Sequence, residues 1–244
     1  MRMRNATIPL MIAIVIPTYN ESKNIGPLVT EIFHFHPKAR IIIVDDNSPD
    51  KTQEVVRKLQ KKYKRLDLLV RTRDKGRGAA VMDGFKYVLK KYPKVEYVLE
   101  MDSDFSHKPA EISWLLDKAK KNTIVIGSRY TKGSKIEDWP LSRIILSHFA
   151  NSYIRFFLGI PINDYTMGFR CYSIKALRSI DFSKIHHKGF ITLSESAYIL
   201  HKNGFTFLEV PITLKDRTQG KSNANFAEVL RSFAAILEIR FRKE

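Results

Sequence analysis

Two acidic residues one position apart, Asp102 and Asp104, follow the apolar stretch at residues 95–101. A mostly apolar run of that length is typical of a buried strand, so both acids fall where the strand ends. Two carboxylates at one spot repel each other, and a hard divalent cation such as Mg²⁺ or Mn²⁺ would offset this while binding substrate phosphates. The pair alone predicts a metal-assisted phosphate site and a simple helix cap about equally well.

Polar residues also follow the other predicted strands of the first half of the chain. These strand ends are residues 17–21, 45–48, 71–74, 102–104 and 128–130. In sheets of parallel strands, ligands bind beyond the carboxyl ends of the strands. Five polar strand ends together therefore predict one binding site at this edge of the sheet.

Strand-length apolar runs alternate with amphipathic stretches, which predicts an α/β fold with a doubly wound, mostly parallel sheet covered by helices on both faces. The predicted strands are 11–17, 40–45, 66–70, 95–101 and 123–127, and the predicted helices are 23–35, 52–63, 78–92 and 109–121. A helix at 141–158, a strand at 206–214 and a helix at 225–240 follow. The sequence contains no internal repeat and no low-complexity linker.

The chain of 244 residues has a net charge of +17, from 42 Lys and Arg against 25 Asp and Glu. Such an excess of positive charge favours binding to anionic partners, which include nucleic acid, anionic lipid headgroups and phosphorylated small molecules. A nucleic-acid-binding protein is one alternative, but no reader motif supports it. The single cysteine excludes an internal disulfide. No segment approaches about 20 uninterrupted apolar residues, so no transmembrane helix is predicted.

Several well-known site motifs are absent from the sequence. No GxxxxGK[ST] loop or GxGxxG follows the first strand, no Cys/His cluster has zinc spacing, and no GxSxG elbow occurs. The glycine pair of Gly76-Arg77-Gly78 is interpreted as a turn that begins a helix.

The ordered motifs TYNE, VDDNSPDKT, DKGRGAA, MDSDFSH and IGSRY resemble the nucleotide-sugar glycosyltransferases of family 2. The later stretches SHFANSYIRFFLGIPINDYTMGFRCYS and DRTQGKSN are similar to the polyprenol-phosphate (dolichol-phosphate) mannose synthases of that family. The resemblance implies a GT-A-like catalytic domain over residues 11–223. Residues 224–244 would then form a basic amphipathic helix, with no transmembrane segment.

By this resemblance, one group of residues binds the nucleotide-sugar donor. Pro17, Tyr19, Glu21, Val44 and Asp46 would hold the nucleotide, and Asp102, Ser103 and Asp104 would meet the ribose, the metal and the diphosphate. Asp102 and Asp104 would be the ligands of Mg²⁺ or Mn²⁺. Arg217 would clamp the donor diphosphate, and Asp104, Arg129 and Arg217 would be the catalytic residues.

The same resemblance assigns Arg129, Arg143 and Ser147 to the phosphate of a lipid acceptor. A phosphate monoester is already anionic near neutral pH, with a second pKa of about 6, so it needs no general base. Cations need only hold its oxygen in line with the anomeric carbon of the sugar. Displacement from the back face would invert an α-linked donor into a β-linked lipid product.

Two positions depart from the family pattern. Ser106 stands where the family often carries Gln, and this shorter side chain would reach the metal through water. Asn223 ends the RxxGxSK-type loop in place of Lys, so we hypothesise that the nearby Lys221 takes over the contact with the donor phosphate.

The C-terminal stretch places Phe226, Leu230, Phe233, Leu237 and Phe241 along one stripe among basic residues. A basic amphipathic helix can lie at a membrane surface, although packing of the stripe against the sheet is an equally good interpretation. The resemblance implies a peripheral enzyme at the cytoplasmic face of a membrane, acting with or without a membrane-spanning partner protein. The favoured reaction moves mannose from GDP-mannose to a polyprenyl (dolichyl) phosphate, and the same chemistry with UDP-glucose or another hexose is the alternative.

Overall fold

The computed structural model describes residues 11–215 and 226–242, and the side chains of the last helix from Ser232 onward. The strands are β1 (Ile12–Thr18), β2 (Arg40–Asp45), β3 (Leu66–Val70), β4 (Tyr97–Glu100), β5 (Thr123–Ser128), β6 (Lys135–Glu137), β7 (Arg170–Ser173), β8 (Thr206–Pro211) and β9 (Thr213–Lys215). The helices are α1 (Ile25–Phe35), α2 (Thr52–Lys62), α3 (Arg77–Lys91), α4 (Ile112–Lys118), α5 (Leu141–Leu158), α6 (Ile174–Arg178), α7 (Thr192–Lys202) and α8 (Phe226–Phe241). Each helix and strand predicted from the sequence is therefore present, with shifted ends.

Seven strands form the central sheet in the order β3-β2-β1-β4-β7-β5-β8. β1 pairs in parallel with both β2 and β4, and β5 pairs in parallel with β8. The predicted α/β fold with a mostly parallel sheet is confirmed. β2 and β3 lie on one side of β1, and β4 lies on the other side, so the direction in which strands are added reverses between β1 and β4. Such a reversal opens a crevice beyond the carboxyl ends of the two strands.

The sheet is covered on both faces, as continuous apolar strands require. All seven residues of β1 are buried, and Ile14, Val15 and Ile16 are fully so. Complete burial of one such side chain contributes roughly 1.5–3 kcal/mol. Helix α3 packs closely on this part of the sheet at Gly84, where an added Cβ would lie 2.4 Å from Val15 Cγ1.

The strands β6 and β7 and the helices α6 and α7 are not predicted from the sequence, and β7 is the one that enters the central sheet. β7 lies between β4 and β5 and is antiparallel to both. It is four residues long and begins with the fully buried Arg170, so it does not form an apolar run. The Arg170 guanidinium donates to the carbonyls of Met167, Leu193 and Tyr165 at 2.6–2.9 Å, which accounts for a buried charge on a strand.

The single strand predicted at 206–214 is divided between two sheets. β8 is the edge strand of the central sheet, whereas β9 pairs with β6 in a separate two-stranded sheet. Ile212 is the junction: its N–H donates to the carbonyl of Ser128, and its own carbonyl accepts from the N–H of Lys135. The segment after β5 is therefore held beside the chain that leads into residues 216–225.

Helix α8 packs against α5 and α7. Ala235, Ile236 and Ile239 form its buried face, and the ring of Phe233 contacts Tyr153 of α5 at 4.5 Å between centroids. The predicted boundary at residue 223 lies outside the described residues. In the part of the chain that the structure describes, no helix combines the length and the apolar character needed to span a bilayer.

Candidate active site

The acidic loop that follows β4 is held by short-range hydrogen bonds. Asp104 is buried, and its Oδ1 accepts from the N–H of Ser106 at 3.1 Å and from the Ser106 hydroxyl at 2.6 Å. Phe105 lies between them with a φ of 62°, a left-handed conformation that turns the loop sharply. Ser106 thus orients the Asp104 carboxylate, a role distinct from the predicted contact with metal through water.

The first acid of the loop is bound by an arginine. Asp102 Oδ1 accepts from Arg77 Nε at 2.8 Å, and its side chain keeps 21% of its surface exposed. Burial acts to lower the pKa of Arg77, but Asp102 and Glu100 outweigh this, so the pKa lies above the ordinary value. The guanidinium therefore stays charged and restrains Asp102 at the rim of the crevice.

Arg77 reaches this position because a glycine in another loop makes room for it: an added Cβ on Gly168 would lie 1.8 Å from Arg77 Nη2. Gly76, directly before α3, has a φ of 138°, a conformation that favours glycine. The sequence interpretation took the glycine pair as a turn and missed the arginine between them. The sequence feature that could have identified Arg77 is its charge at the first position of a helix that begins at the carboxyl-end edge of the sheet, where the binding site is predicted.

His107 lies beneath the acidic loop and is 1% exposed. Its Nδ1 accepts from the backbone N–H of Asp102 at 3.1 Å, and its ring stacks on Phe169. Burial lowers its pKa most; Asp102 and Asp104 act to raise it, and Arg77 and Arg129 act to lower it further. The segment at 164–169 contacts Arg129 through Asp164 and contacts His107 through Met167 and Phe169, so the acids after β4 and the arginine after β5 border the same region.

The predicted nucleotide-binding residues lie at the ends of β1 and β2. Pro17 and Val44 are register partners in the sheet and are buried, whereas Tyr19 is 54% exposed, with Lys75 Nζ 5.7 Å from its ring centre. Glu21 accepts from Asn24 Nδ2 at 2.8 Å. Tyr19 is thus the member of this group that presents the most surface to a ligand.

Asp46 has a structural function that sequence reasoning did not predict. One carboxylate oxygen pairs with Arg71 Nη1, and the other accepts from the backbone N–H of Gly76 at 2.7 Å. Arg71 in turn donates to Asp83 at 2.8 Å. Asp46 therefore fastens the loop that leads into α3 and hence positions Arg77; its predicted contact with the nucleotide stays a prediction.

Arg129 follows β5 and forms a buried, two-point ion pair with Asp164. Arg129 Nε donates to Asp164 Oδ2 at 2.8 Å, and Nη2 donates to Oδ1 at 2.6 Å. The backbone N–H of Arg129 also donates to Asp164 Oδ2 at 3.0 Å, and Nη2 reaches the Thr166 hydroxyl at 2.6 Å. Burial acts to lower the pKa of Arg129, but Asp164 raises it above its ordinary value.

Asp164 is itself fixed, although sequence reasoning did not single it out. Its backbone N–H donates to Glu209 of β8 at 2.9 Å, and the next residue, Tyr165, donates its N–H to Asn151 of α5 at 2.7 Å. The Asp164 side chain is fully buried. Within the described chain, the Arg129 guanidinium donates hydrogen bonds to Asp164 and Thr166 through Nε and Nη2, which leaves Nη1 as the nitrogen for a ligand.

In the structure, Arg143 and Arg129 lie against the same tryptophan ring, and their predicted contact with an acceptor phosphate stays a prediction. The guanidinium carbon of Arg143 lies 3.8 Å from the ring centre of Trp139, and that of Arg129 lies 5.1 Å from the same ring. Ser147, one turn after Arg143 on α5, accepts a 2.6 Å hydrogen bond from the Tyr130 hydroxyl. The three predicted acceptor residues therefore form one cluster at the carboxyl end of β5.

Arg217, Lys221 and Asn223 lie outside the described residues. β9 ends at Lys215, directly before that segment, and is paired with β6.

The acids present fit a divalent cation that also binds substrate. Among the described residues, no group of three or more His, Cys, Asp or Glu side chains is arranged around a common metal position. A hard cation such as Mg²⁺ needs only one or two protein carboxylates when substrate phosphates and water complete its octahedron. Asp102 and Asp104, on one loop at the crevice, supply such a donor set.

Comparisons with known proteins agree with this geometry. Residues 13–181 match the glycosyl transferase family 2. Polyprenol monophosphomannose synthase of Mycolicibacterium smegmatis is 37% identical over 92% of this chain and 85% of its own. Undecaprenyl-phosphate mannosyltransferase of Micrococcus luteus is 33% identical over 85% of each chain. Dolichol-phosphate mannosyltransferase of Pyrococcus furiosus is 34% identical over 87% of this chain and 59% of its own.

Solved structures share the fold at low sequence identity. Glucosyl-3-phosphoglycerate synthase from Mycobacterium tuberculosis, in complex with Mn²⁺, UDP and phosphoglyceric acid, superposes with a TM-score of 0.67 at 16% identity, covering 96% of this chain and 80% of its own. Mannosyl-3-phosphoglycerate synthase from Rubrobacter xylanophilus superposes with a TM-score of 0.69 at 16% identity, covering 96% of this chain and 74% of its own. These likenesses establish a GT-A-like fold. By the family match and the identity to its relatives, this chain is an enzyme of glycosyl transferase family 2.

Proposed function

We propose that this enzyme transfers mannose from GDP-mannose to a polyprenyl phosphate with inversion at the anomeric carbon. The observation that carries the proposal is the meeting of two sets of groups at one crevice. The acids Asp102 and Asp104 suit the donor, and the guanidinium groups of Arg129 and Arg143 suit a phosphate acceptor. The names of the three relatives, all of which specify a polyprenol-type phosphate and mannose, support the choice of substrates.

The acceptor oxygen is the nucleophile of the proposed reaction. Arg129 and Arg143 hold the phosphate so that one oxygen attacks the anomeric carbon, a new carbon–oxygen bond forms, and the bond to the nucleoside diphosphate breaks with its electron pair on the leaving group. No proton has to move, because the monoester is already ionised near pH 7. His107, the histidine nearest the acids, is buried with a lowered pKa, which suits a site that needs no base.

The donor diphosphate requires positive charge as the bond to the sugar breaks. Mg²⁺ or Mn²⁺, held by Asp102 and Asp104, would neutralise charge that develops on the leaving group. Ser106 holds the Asp104 carboxylate, and Arg77 holds the Asp102 carboxylate, so both acids are oriented before a substrate binds. Arg217 and Lys221 remain proposed donor-phosphate ligands.

A direct test is transfer of radiolabelled sugar to extractable lipid. The protein is incubated with a short polyprenyl phosphate, Mg²⁺ or Mn²⁺, and a panel of nucleotide sugars. Lipid labelled from GDP-mannose is expected. Label from UDP-glucose alone would show that the donor is UDP-glucose and not GDP-mannose. The absence of labelled lipid with every donor would refute the proposed function. Asp104→Ala should abolish transfer, whereas Asp117→Ala, at an exposed position on α4, should leave it unchanged.

We also infer that the enzyme binds the membrane surface peripherally, at the cytoplasmic face. One face of α5 exposes Leu141, Ile145, Phe149 and Phe156, which are 59–81% exposed and spaced by four, four and seven residues. Such an apolar stripe on one helix face is typical of an interfacial helix. Arg143 lies on the same helix, on the side away from this stripe, so contact of the stripe with a bilayer would hold the acceptor site within about one helix diameter of the membrane surface.

Of the predicted stripe on the C-terminal helix, the side chains of Phe226 and Leu230 lie outside the described residues. Phe233 is packed against α5, whereas Leu237 and Phe241 are 37% and 70% exposed. Sedimentation with anionic vesicles would test the surface: Ile145→Asp should weaken binding, and Trp114→Asp, at an exposed position on α4, should not. Equal binding by wild type and Ile145→Asp would contradict this use of α5. A membrane-spanning partner protein stays a prediction.

A further inference from the structure

Trp139 joins the two arginines of the proposed acceptor site. It lies on the short connection between β6 and α5, and its side chain packs against the hydrophobic core. The guanidinium carbon of Arg143 is 3.8 Å from the centre of its indole ring, and that of Arg129 is 5.1 Å from it. One aromatic ring therefore contacts both cations that are assigned to the acceptor phosphate.

Two guanidinium groups this close repel each other before an anion arrives. The negative face of an indole attracts cations, and tryptophan provides the strongest such interaction among the aromatic residues. Arg129 is already restrained by its ion pair with Asp164. Arg143 is on helix α5, and contact with the ring reduces the number of conformations that its long side chain can adopt.

We propose that Trp139 is a positioning residue for the acceptor phosphate: it sets the spacing and orientation of the Arg129 and Arg143 guanidinium groups before the lipid phosphate binds. This inference rests on the proposed function, since it concerns the same acceptor site. The role requires an aromatic face. Phe at position 139 preserves that face, whereas Leu preserves only the apolar contact with the core.

The indole nitrogen is a second notable feature of Trp139. Its Nε1 is buried and has no hydrogen-bond partner among the described residues. An unsatisfied buried N–H is costly, so Phe at this position carries no penalty for losing that group. Retention of activity in Trp139→Phe would therefore assign the function to the ring face.

Steady-state kinetics with separate variation of the two substrates test the proposal. We expect Trp139→Leu to raise the KM for polyprenyl phosphate by about tenfold, which corresponds to about 1.4 kcal/mol, with little change in the KM for the donor. Trp139→Phe should recover most of the loss. Trp114→Leu, which changes the other tryptophan of the chain on α4, is the matched control and should behave as wild type.

A double-mutant cycle separates positioning from a general structural effect. If Trp139 acts through Arg143, then adding Trp139→Leu to Arg143→Ala should raise the acceptor KM by less than about twofold further. Full additivity of the two substitutions, or equal losses in the KM of donor and acceptor, would overturn the proposal. So would a Trp139→Leu variant with the acceptor KM of wild type.

A binding measurement distinguishes this inference from failure of the proposed function. In a Trp114→Phe background, Trp139 is the single tryptophan, so its fluorescence reports on its surroundings. We expect a saturable change on titration with a short isoprenyl phosphate, which Arg143→Ala should abolish. If no sugar transfer to lipid is found but this titration succeeds, the proposed function fails and the phosphate site stands. If transfer occurs but the fluorescence never responds, the assignment of Trp139 fails.

Discussion

Replacing Asp164 with Asn should unfold the protein at a lower temperature and also impair catalysis, for one electrostatic reason. The Asp164 side chain is fully buried and accepts three hydrogen bonds from Arg129, two from the guanidinium and one from the backbone, at 2.6–3.0 Å. Asn has almost the same shape but no charge. The variant therefore leaves the Arg129 cation, whose side chain is 7% exposed, without its counter-charge.

The expected loss follows from the cost of an unpaired buried charge. Removing one partner of a buried pair costs about 3–5 kcal/mol in the free energy of unfolding. Asn keeps one carbonyl oxygen that can accept from Arg129, so we expect a value near the lower limit, about 3 kcal/mol. For a domain of this size that corresponds to a fall in Tm of roughly 6–12 °C.

The assay is thermal unfolding followed by calorimetry, with lipid transfer measured well below Tm. The double variant Arg129→Met/Asp164→Leu removes both charges and fills the same space, so it should recover most of the lost stability. It should nevertheless transfer no sugar, because Arg129 is gone. A Tm of Asp164→Asn within 1 °C of wild type, on the order of 0.3 kcal/mol, would refute the reasoning on stability. Full transfer by the double variant would refute the assignment of Arg129.

Three further outcomes are expected from the same structure. Gly168→Ala would place a Cβ 1.8 Å from Arg77 Nη2, so the arginine must move away from Asp102 and the KM for the donor should rise. Gly189→Ala is the control, because its Cβ meets nothing within 4 Å, and it should leave the donor KM unchanged. Burial acts to raise the pKa of Glu195, but hydrogen bonds from the loop at 186–187 and from the C-terminal arginine lower it from 4.5 to about 2. Glu195 therefore contributes about 3 kcal/mol to the free energy of unfolding above pH 4.5, and this contribution is lost as pH falls towards 2. The free energy of unfolding, measured with urea, should fall less steeply with decreasing pH in Glu195→Gln than in wild type. Parallel pH dependences of the two proteins would exclude this. Because the net charge is +17, binding to anionic vesicles should weaken by about tenfold or more between 0.1 and 0.5 M salt, and salt-independent sedimentation would count against an electrostatic contribution.

The parts of the fold that were predictable are those in which burial and periodicity agree. β1 and β2 are apolar along their whole length and buried on both faces, so a continuous run identifies them. The position of the acids after β4 follows from the same rule, because parallel strands bring their carboxyl ends to one edge. The assignment of Arg129 and Arg143 to one site came from the family resemblance, because their spacing in the sequence alone does not indicate it.

The parts that were missed carry buried polar groups. Helix α7 buries Thr192, Ser194, Glu195 and Ser196 in addition to its apolar residues, so its polar pattern does not mark the solvent side. Glu195 is satisfied by the His187 side chain and backbone and by Arg242 of the C-terminal segment. Partners eight and 47 residues away decide whether Glu195 can be buried, and no local pattern contains that information.

Arg77 shows the same limit at the active site. Its function depends on Asp102 in another loop and on the space left by Gly168, which is 91 residues away in the chain. A glycine-arginine-glycine sequence indicates a turn on local grounds. The arginine becomes a site residue only when the sheet places the end of β4 beside the start of α3.

The ends of three strands are each bound by an arginine–carboxylate pair: Asp46 with Arg71, Asp102 with Arg77, and Arg129 with Asp164. Such pairs add little to stability, since burial of two charges costs about as much as their attraction returns. They do restrict orientation: each arginine holds its carboxylate by a charge-assisted hydrogen bond, and the two-point bond of Arg129 with Asp164 also fixes the plane of both groups. A reaction between two substrates that each carry an anionic phosphate group gains most from protein groups that are already oriented, since reorganisation at the moment of transfer is then avoided. The positions of these arginines are therefore better explained by the geometry of the reaction than by the stability of the fold.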